Sequence, residues 1–316
     1  MNNDEPINNI FFVVPPKVHL LDINGPAHIF YEAREYGASI DLHFISPINE
    51  DRVVSSAGLS FSELRYFGDF LPTKDDFVFV PGLYFSIFSD NEFLQQCSSF
   101  FSWLKECDRI GVSICSVCTG SFLLAEAGIL DHRSCTTHWK RVVAFRERYP
   151  KIDLKESRLL VVDRNIYTSA GISSGIDLSL FILETKFSPK LAADVAKEAV
   201  IYFRRGEFDP QLSVFLKYRN HLEERIHKAQ EFIAHHLDKQ FTQLEIAENV
   251  NMSPRNLSRL FKKATGITIH TYTEKLRVEK ANNLLNENNK LEMVARESGF
   301  KSISQLYAVL KKHKLS

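Results

Sequence analysis

The alternation of apolar and polar positions changes character along the chain. Over residues 9–187 short apolar runs alternate with amphipathic stretches: 10–14, 41–45, 77–80 and 109–115 read as strands, while 27–36, 92–107 and 121–127 carry helical spacing. Such a βαβ series builds a parallel sheet with helices over both faces. Residues 161–168 add two short strands around Asp163-Arg164-Asn165, and 173–186 and 189–203 add two helices. Residues 202–211 (YFRRGEFDPQ) mix charge with Gly and Pro and read as a linker; the helical series beginning at 216–237 then continues to the end.

That helical part contains an internal repeat. Ile246-Ala247 recurs as Val294-Ala295 at an offset of 48, while Leu257, Phe261, Lys262 and Lys263 recur as Leu306, Leu310, Lys311 and Lys312 at an offset of 49. One unit therefore has a turn one residue longer. Each unit fits a helix-turn-helix: Ala247 and Ala295 are small where two helices cross, and Asn251 and Gly299 tolerate positive φ in the turn. The second helices have matching starts, Ser253 before Pro254 and Ser302 with Gln305 in an S-x-x-Q capping box. Ile269, Tyr272 and Leu276, with Val278, Ala281 and Leu285, form the apolar faces of a connecting helix. Two units so joined put two recognition helices about 34 Å apart, one turn of duplex.

Length and charge sharpen the division. A chain of 316 residues exceeds one core and implies two domains, or three. We place them at 1–205 and 219–316, with 206–218 as the linker. The net charge of zero is a sum of opposites: residues 217–316 hold 18 Lys+Arg against 11 Asp+Glu, and residues 1–216 hold 21 against 28. A cationic second domain implies a polyanionic partner. No run approaches the ~18 apolar residues of a membrane span, and the first nine residues, MNNDEPINN, lack the cationic and apolar character of a signal peptide. The expectation is a cytoplasmic protein without membrane contact. Five cysteines (97, 107, 115, 118 and 135) in the first domain are expected to be reduced thiols.

In a parallel sheet, ligands sit beyond the carboxyl ends of the strands. Three places stand out. Cys118 follows an apolar run and precedes a helix, flanked two residues away by Ser116 and Gly120, as a nucleophile on a sharp strand-to-helix turn requires. A helix N-terminus would favour its thiolate; the alternative is a buried small hydrophobe. Cys115 and Cys118 also spell C-x-x-C, but no second Cys or His pair completes a metal site, so neither metal nor cofactor is expected. Asp22, after the first strand, either orients a ligand and exchanges protons or serves the start of a helix, with Pro26 at a first helical position. His138, in Thr136-Thr137-His138-Trp139, either lines the same pocket or caps the next helix.

These residues carry a resemblance. Asp22 with Gly25-Pro26, Val80-Pro81-Gly82, residues 116–121 (SVCTGS), 127–130 (AGIL), 136–139 (TTHW) and 168–177 (TSAGISSGID) together resemble the class I glutamine amidotransferase-like superfamily. The branch is that of isocyanide hydratases and the sensor domains of AraC-type regulators, over roughly residues 9–203. Its enzyme members imply catalytic roles for Asp22 and Cys118 with Thr119 nearby, and a ligand pocket of Asp22, Gly82, Cys118, Thr119, His138 and Gly171. Leu83 stands where a second glycine is usual, at the loop where enzyme members bring a backbone N–H to an oxyanion.

Residues 220–313 resemble the AraC-type DNA-binding domain through MSPRNLSRLFKKATG, LRVEKA and ESGF. That resemblance implies base contacts from Arg255, Ser258 and Arg259, with Asn256 adjacent, and from Ile303, Ser304, Gln305 and Tyr307 in the second unit. Lys262 and Lys263 suit phosphate. Ala308 replaces a common Arg and Leu310 a common Phe, so the second unit is expected to read sequence weakly. The expected protein is an α/β parallel-sheet sandwich followed by an all-α domain with two helix-turn-helix units. Its expected role is a homodimeric transcription regulator of promoter DNA, with a small, nitrogen-containing effector and RNA polymerase as a further partner, not an enzyme. The alternatives are a Cys118-dependent hydratase or hydrolase fused to a DNA-binding domain, and a cysteine redox sensor.

Overall fold

Strands form where the apolar runs lie. Asn8–Val13 (β1), Ile40–Ser46 (β2), Arg65–Tyr66 (β3), Phe77–Val80 (β4), Ser113–Val117 (β5), Leu160–Asp163 (β6) and Ile166–Ser169 (β7) make one sheet in the order β6-β7-β5-β4-β1-β2-β3. The structure is a computed structural model describing residues 8–201, 205, 211, 213–286 and 289–314. It divides after Gln211 into two compact units. The stretch read as a linker, 202–211, lies outside the described residues except Arg205 and Gln211.

Every neighbouring pair in the sheet is parallel except β6 with β7, a hairpin whose turn puts Arg164 at φ +58°. Register alternates side chains between two cores: Ile10, Phe12, Phe77, Phe79, Cys115 and Val117 face one, Phe11, Val13, Val78, Val80 and Ile114 the other. Each buried Phe or Val contributes about 1.5–3 kcal/mol over its exposed state. The helices of this unit are Leu20–Glu35 (α1), Asn91–Gln96 (α2), Ser98–Ile110 (α3), Gly120–Glu126 (α4), Val142–Arg148 (α5), Ser174–Ile182 (α6) and Pro189–Glu198 (α7).

Three boundaries differ from the sequence reading. Arg109 and Ile110 finish α3 instead of opening a strand, because Gly111 ends the helix at φ +89° and β5 begins only after it. The predicted helix over 92–107 is two helices that meet at Cys97. Pro26 lies inside α1, which starts seven residues before the predicted 27, so that Asp22 falls in the first turn of the helix.

The second unit contains Val214–Lys217 (α8), Glu224–His235 (α9), Gln243–Asn249 (α10), Pro254–Thr265 (α11), Ile269–Asn286 (α12), Leu291–Glu297 (α13) and Ile303–Lys314 (α14). The repeat is thus two helix-turn-helix pairs, α10–α11 and α13–α14, around the long α12. Helix α12 contributes Ile269, Tyr272 and Leu276 to one core and Ala281, Val278 and Leu285 to the other. Asn251 and Gly299 hold the two turns at φ +52° and +75°. The helical series expected over 216–237 is broken between α8 and α9, where Leu222 is fully exposed and adds nothing to a core.

Candidate functional site

The carboxyl ends of β1, β4 and β5 are neighbours, and they bring Asp22, Gly82 and Cys118-Thr119 together. Connections leave β1 towards β2 on one side and enter β4 and β5 on the other, the strand arrangement beside which open parallel sheets bind ligands. Cys118 sits on the sharp turn between β5 and α4 at φ +59°. Its small neighbour is required: a Cβ on Gly120 would lie 2.1 Å from the Val80 carbonyl oxygen. Asp22, Cys118 and Thr119 are only 1%, 3% and 4% exposed.

Asp22 Oδ2 accepts the Gly82 N–H at 3.0 Å, while Oδ1 is buried with no hydrogen-bond partner among the described residues. Burial pushes the Asp22 carboxyl up to about 7, against the Gly82 bond that favours its charge. Cys118 does not follow the expectation of a thiolate. Burial, and then the Asp22 carboxylate beside it, push the thiol well above its usual range, and these outweigh the partial charge of a seven-residue helix. Iodoacetamide at pH 8 should therefore alkylate Cys118 about 100-fold more slowly than a free cysteine, as followed by peptide mass spectrometry.

The loop after β4 has spent its amides. Gly82 N–H is on Asp22, and Leu83, fully buried, donates its N–H to Thr119 Oγ1 at 3.2 Å; the same hydroxyl donates to the Leu83 carbonyl at 3.2 Å. Neither amide points at a developing oxyanion. His138 caps the turn Trp139–Arg141, its Nδ1 accepting the Lys140 N–H at 3.3 Å. Burial, and then Lys140, hold its imidazole below the usual range, and His19 acts in the same direction. Gly171 follows β7, its N–H donating to Ser174 Oγ at 2.7 Å. His19, absent from the sequence reading, precedes Asp22 and bonds Ser56 Oγ at 3.1 Å; its place just beyond β1 was the available signal. Thr137 joins the site behind Cys118, its hydroxyl donating to the Cys118 carbonyl at 3.4 Å and accepting from Ser121 Oγ at 2.8 Å. No group of three metal-ligating side chains occurs among the described residues.

In the second unit, Leu257 and Phe261 are fully buried, which turns Arg255, Asn256, Arg259, Lys262 and Lys263 outward along α11. None of these four cations has an ion-pair partner among the described residues. Ser253 caps α11, accepting the Asn256 N–H at 3.4 Å. Ser258, expected to face outward as a base reader, is half-buried: its hydroxyl donates to the Pro254 carbonyl at 2.8 Å, and it receives the Gln243 amide. A cleft of about 910 Å³ joins Arg255, Arg259 and Lys262 to His270 at the start of α12 and to Lys301 and Gln305.

On α14, Ser304, Gln305 and Tyr307 are exposed as expected. Ile303 is not: it is half-buried, packed against the small apolar core of the second repeat. Ser302 accepts the Gln305 N–H at 3.2 Å, but the Gln305 carboxamide closes onto the Lys301 N–H at 2.7 Å, one residue earlier than a capping box. Lys312, the counterpart of Lys263, is paired with Glu274 at 2.7 Å.

Residues 8–185 match the sequence profile of the DJ-1/PfpI family, more than half of the chain. The chain belongs to the DJ-1/PfpI family. Residues 246–315 match a helix-turn-helix domain family. The HTH-type transcriptional regulator CdhR of Pseudomonas aeruginosa is 34% identical over 204 residues, 64% of this chain and 60% of its own length. The chain thus spans less than two thirds of that regulator. Isonitrile hydratase of Pseudomonas putida is 29% identical over 176 residues, 55% of this chain and 70% of the enzyme. A ThiJ/PfpI family protein from Pseudomonas syringae shares the fold, with TM-score 0.54 and 23% identity over 73% of this chain and 87% of that one. The resemblance carried by SVCTGS and TTHW therefore holds, and the DJ-1/PfpI unit precedes an AraC-type helix-turn-helix unit. No helix among the described residues is long and apolar enough to cross a membrane.

Proposed function

We propose that this chain is a sequence-specific transcription regulator whose helix-turn-helix unit binds promoter DNA and whose DJ-1/PfpI unit senses a small, nitrogen-containing effector. The observation that carries the reading is the row of cations along α11, held outward by Leu257 and Phe261 and without ion-pair partners among the described residues. Arginine at such a position pairs with guanine in the major groove, and lysine meets phosphate. Sensing without turnover is supported by the spent amides of Gly82 and Leu83 and by the protonated Cys118 thiol. The buried Asp22 Oδ1, without a hydrogen-bond partner among the described residues, supports an effector that brings an N–H donor. In this reading the regulator is a cytoplasmic homodimer that works with RNA polymerase.

Selection of duplexes from a random pool tests the proposal, and equal affinity for selected and random DNA overturns it. Arg259→Ala should cost about 1–3 kcal/mol, roughly 5- to 150-fold, at one base position and leave other positions unchanged. Lys262→Ala should weaken all duplexes alike and lower the salt slope by about 1. Turnover of an isocyanide or amide by the native protein, abolished in Cys118→Ala, would replace sensing by catalysis.

A further inference from the structure

The cleft beside α11 is shared by the two repeats of the helix-turn-helix unit. Arg255, Arg259 and Lys262 line it from α11, His270 and Arg277 from α12, and Lys301 from the turn two residues before α14. Five of its lining side chains are permanent cations, and none is an Asp or Glu. The acids of this unit are engaged elsewhere: Glu224 with Lys228, Glu231 with Arg219, Glu274 with Lys312 and Glu297 with Arg296. The five cations of the cleft have no carboxylate partner among the described residues. Arg277 is half-buried, and its guanidinium donates to the Leu237 and Lys239 carbonyls, dipoles that orient its charge without cancelling it. Like charges gathered in one concavity repel one another, and an anion relieves that cost.

Size selects the kind of anion. At about 910 Å³ the cleft is several times larger than a phosphate ion, and one such ion would leave most of the five cations unmatched. A sugar-phosphate backbone supplies its charges in a row, one per ~1.7 Å of duplex axis. Position selects the same partner. One wall is the first recognition helix and the other is the approach to the second, so a strand passing from one major-groove segment to the next lies across the cleft. The second repeat also needs such a contact. Lys312, which matches the phosphate-facing Lys263, is held by Glu274, whereas Lys301 at the opposite end of α14 is exposed and uses only its backbone N–H in the fold.

We propose that this cleft seats the DNA backbone between the two recognition helices, and that Lys301 is the phosphate contact of the second repeat. The inference deepens the regulator reading and rests on it. It gives the second repeat a role in affinity and register that does not depend on base reading by α14.

Methylphosphonates, neutral replacements for single phosphates, test the seat when walked along a selected duplex bound to the full chain. For the native protein, a neutral linkage between the two major-groove segments should weaken binding by at least about 5-fold. Lys301→Gln should already be weaker by about that factor on the unmodified duplex, and should lose less than about twofold more at that linkage. Lys301→Arg, which keeps the charge, should behave as the parent. An interference pattern in Lys301→Gln identical to that of the parent overturns the seat. Inorganic phosphate that displaces the duplex more than chloride does at equal ionic strength, with the difference lost in Lys301→Gln, gives the cleft to a free ion and overturns the backbone assignment. Equal affinity for selected and random duplexes removes the regulator reading alone, because the seat is then scored on random DNA. There Lys301→Gln should lower the salt slope by about 0.9, and an unchanged slope overturns the seat.

Discussion

Gly299→Ala should destabilise the helix-turn-helix unit by about 3 kcal/mol or more and weaken DNA binding by at least about 100-fold. Two effects add at this position. The backbone is at φ +75°, which costs an L-residue about 1–2 kcal/mol. The new Cβ would also lie 1.8 Å from the Leu237 carbonyl oxygen, a backbone atom that cannot swing aside. Moving that carbonyl breaks the seam between the two repeats. Arg277 donates to the carbonyls of Leu237 and Lys239 at 3.2 and 2.7 Å, and Gln240 Nε2 donates to the Gly299 carbonyl at 2.9 Å. The spacing of two recognition helices depends on this seam, so affinity should fall further than stability alone requires. The equivalent turn residue of the first repeat provides the control. Asn251 has φ +52°, an exposed side chain and a residue type suited to that region, so Asn251→Ala should cost only about 1 kcal/mol. Urea unfolding of the full chain with duplex titrations measures both, and equal costs at the two turns would refute the close-approach argument.

Raising the pH from 4 to 8 should remove about 4 kcal/mol from the DJ-1/PfpI unit through Asp22 alone. The folded carboxyl titrates near 7 against 3.8 in the unfolded chain, so between those values the native state holds a proton that the unfolded state has lost. Stability from this group is complete below pH 3.8, declines as pH rises and reaches its floor above 7. His19, His43 and His138, held low chiefly by burial, act oppositely and weaken the fold as pH falls. The difference between wild type and Asp22→Asn isolates the carboxylate: the variant should be the more stable protein at pH 8, with little difference at pH 4. A flat difference from pH 4 to 8 would show that Asp22 is not ionised against its surroundings. A cationic amine bound at Oδ1 should reverse the effect by stabilising the charge, and its affinity should then rise with pH through the same interval.

Much of this was legible in the order of residues. The βαβ series and the parallel sheet follow from periodicity, because a strand or an amphipathic helix announces its buried face locally. The same holds for the two turns: Asn251 and Gly299 are residue types that positive φ selects, and Ser253 and Ser302 are caps whose partners lie three residues away. Leu257 and Phe261 had to face inward, so Arg255, Arg259, Lys262 and Lys263 had to face out. The amino-acid order by itself thus determined two units, their classes and the cationic face of α11.

Only the tertiary structure decided what the pocket can do. Cys118 has the local signature of an activated thiol, yet burial and Asp22, 96 positions away in sequence, keep it protonated. Pro26 reads as a helix start until the whole of α1 is laid against the sheet. Ile303 and Ser258 read as outward positions until the core of the second repeat and Gln243 are placed beside them. Gln211 carried no signal at all, since its carboxamide is held by a hydroxyl and two carbonyls 55 to 75 residues away. Burial and long-range hydrogen bonds are sums over neighbours that the chain brings together only by folding, and protonation, access and coupling depend on those sums.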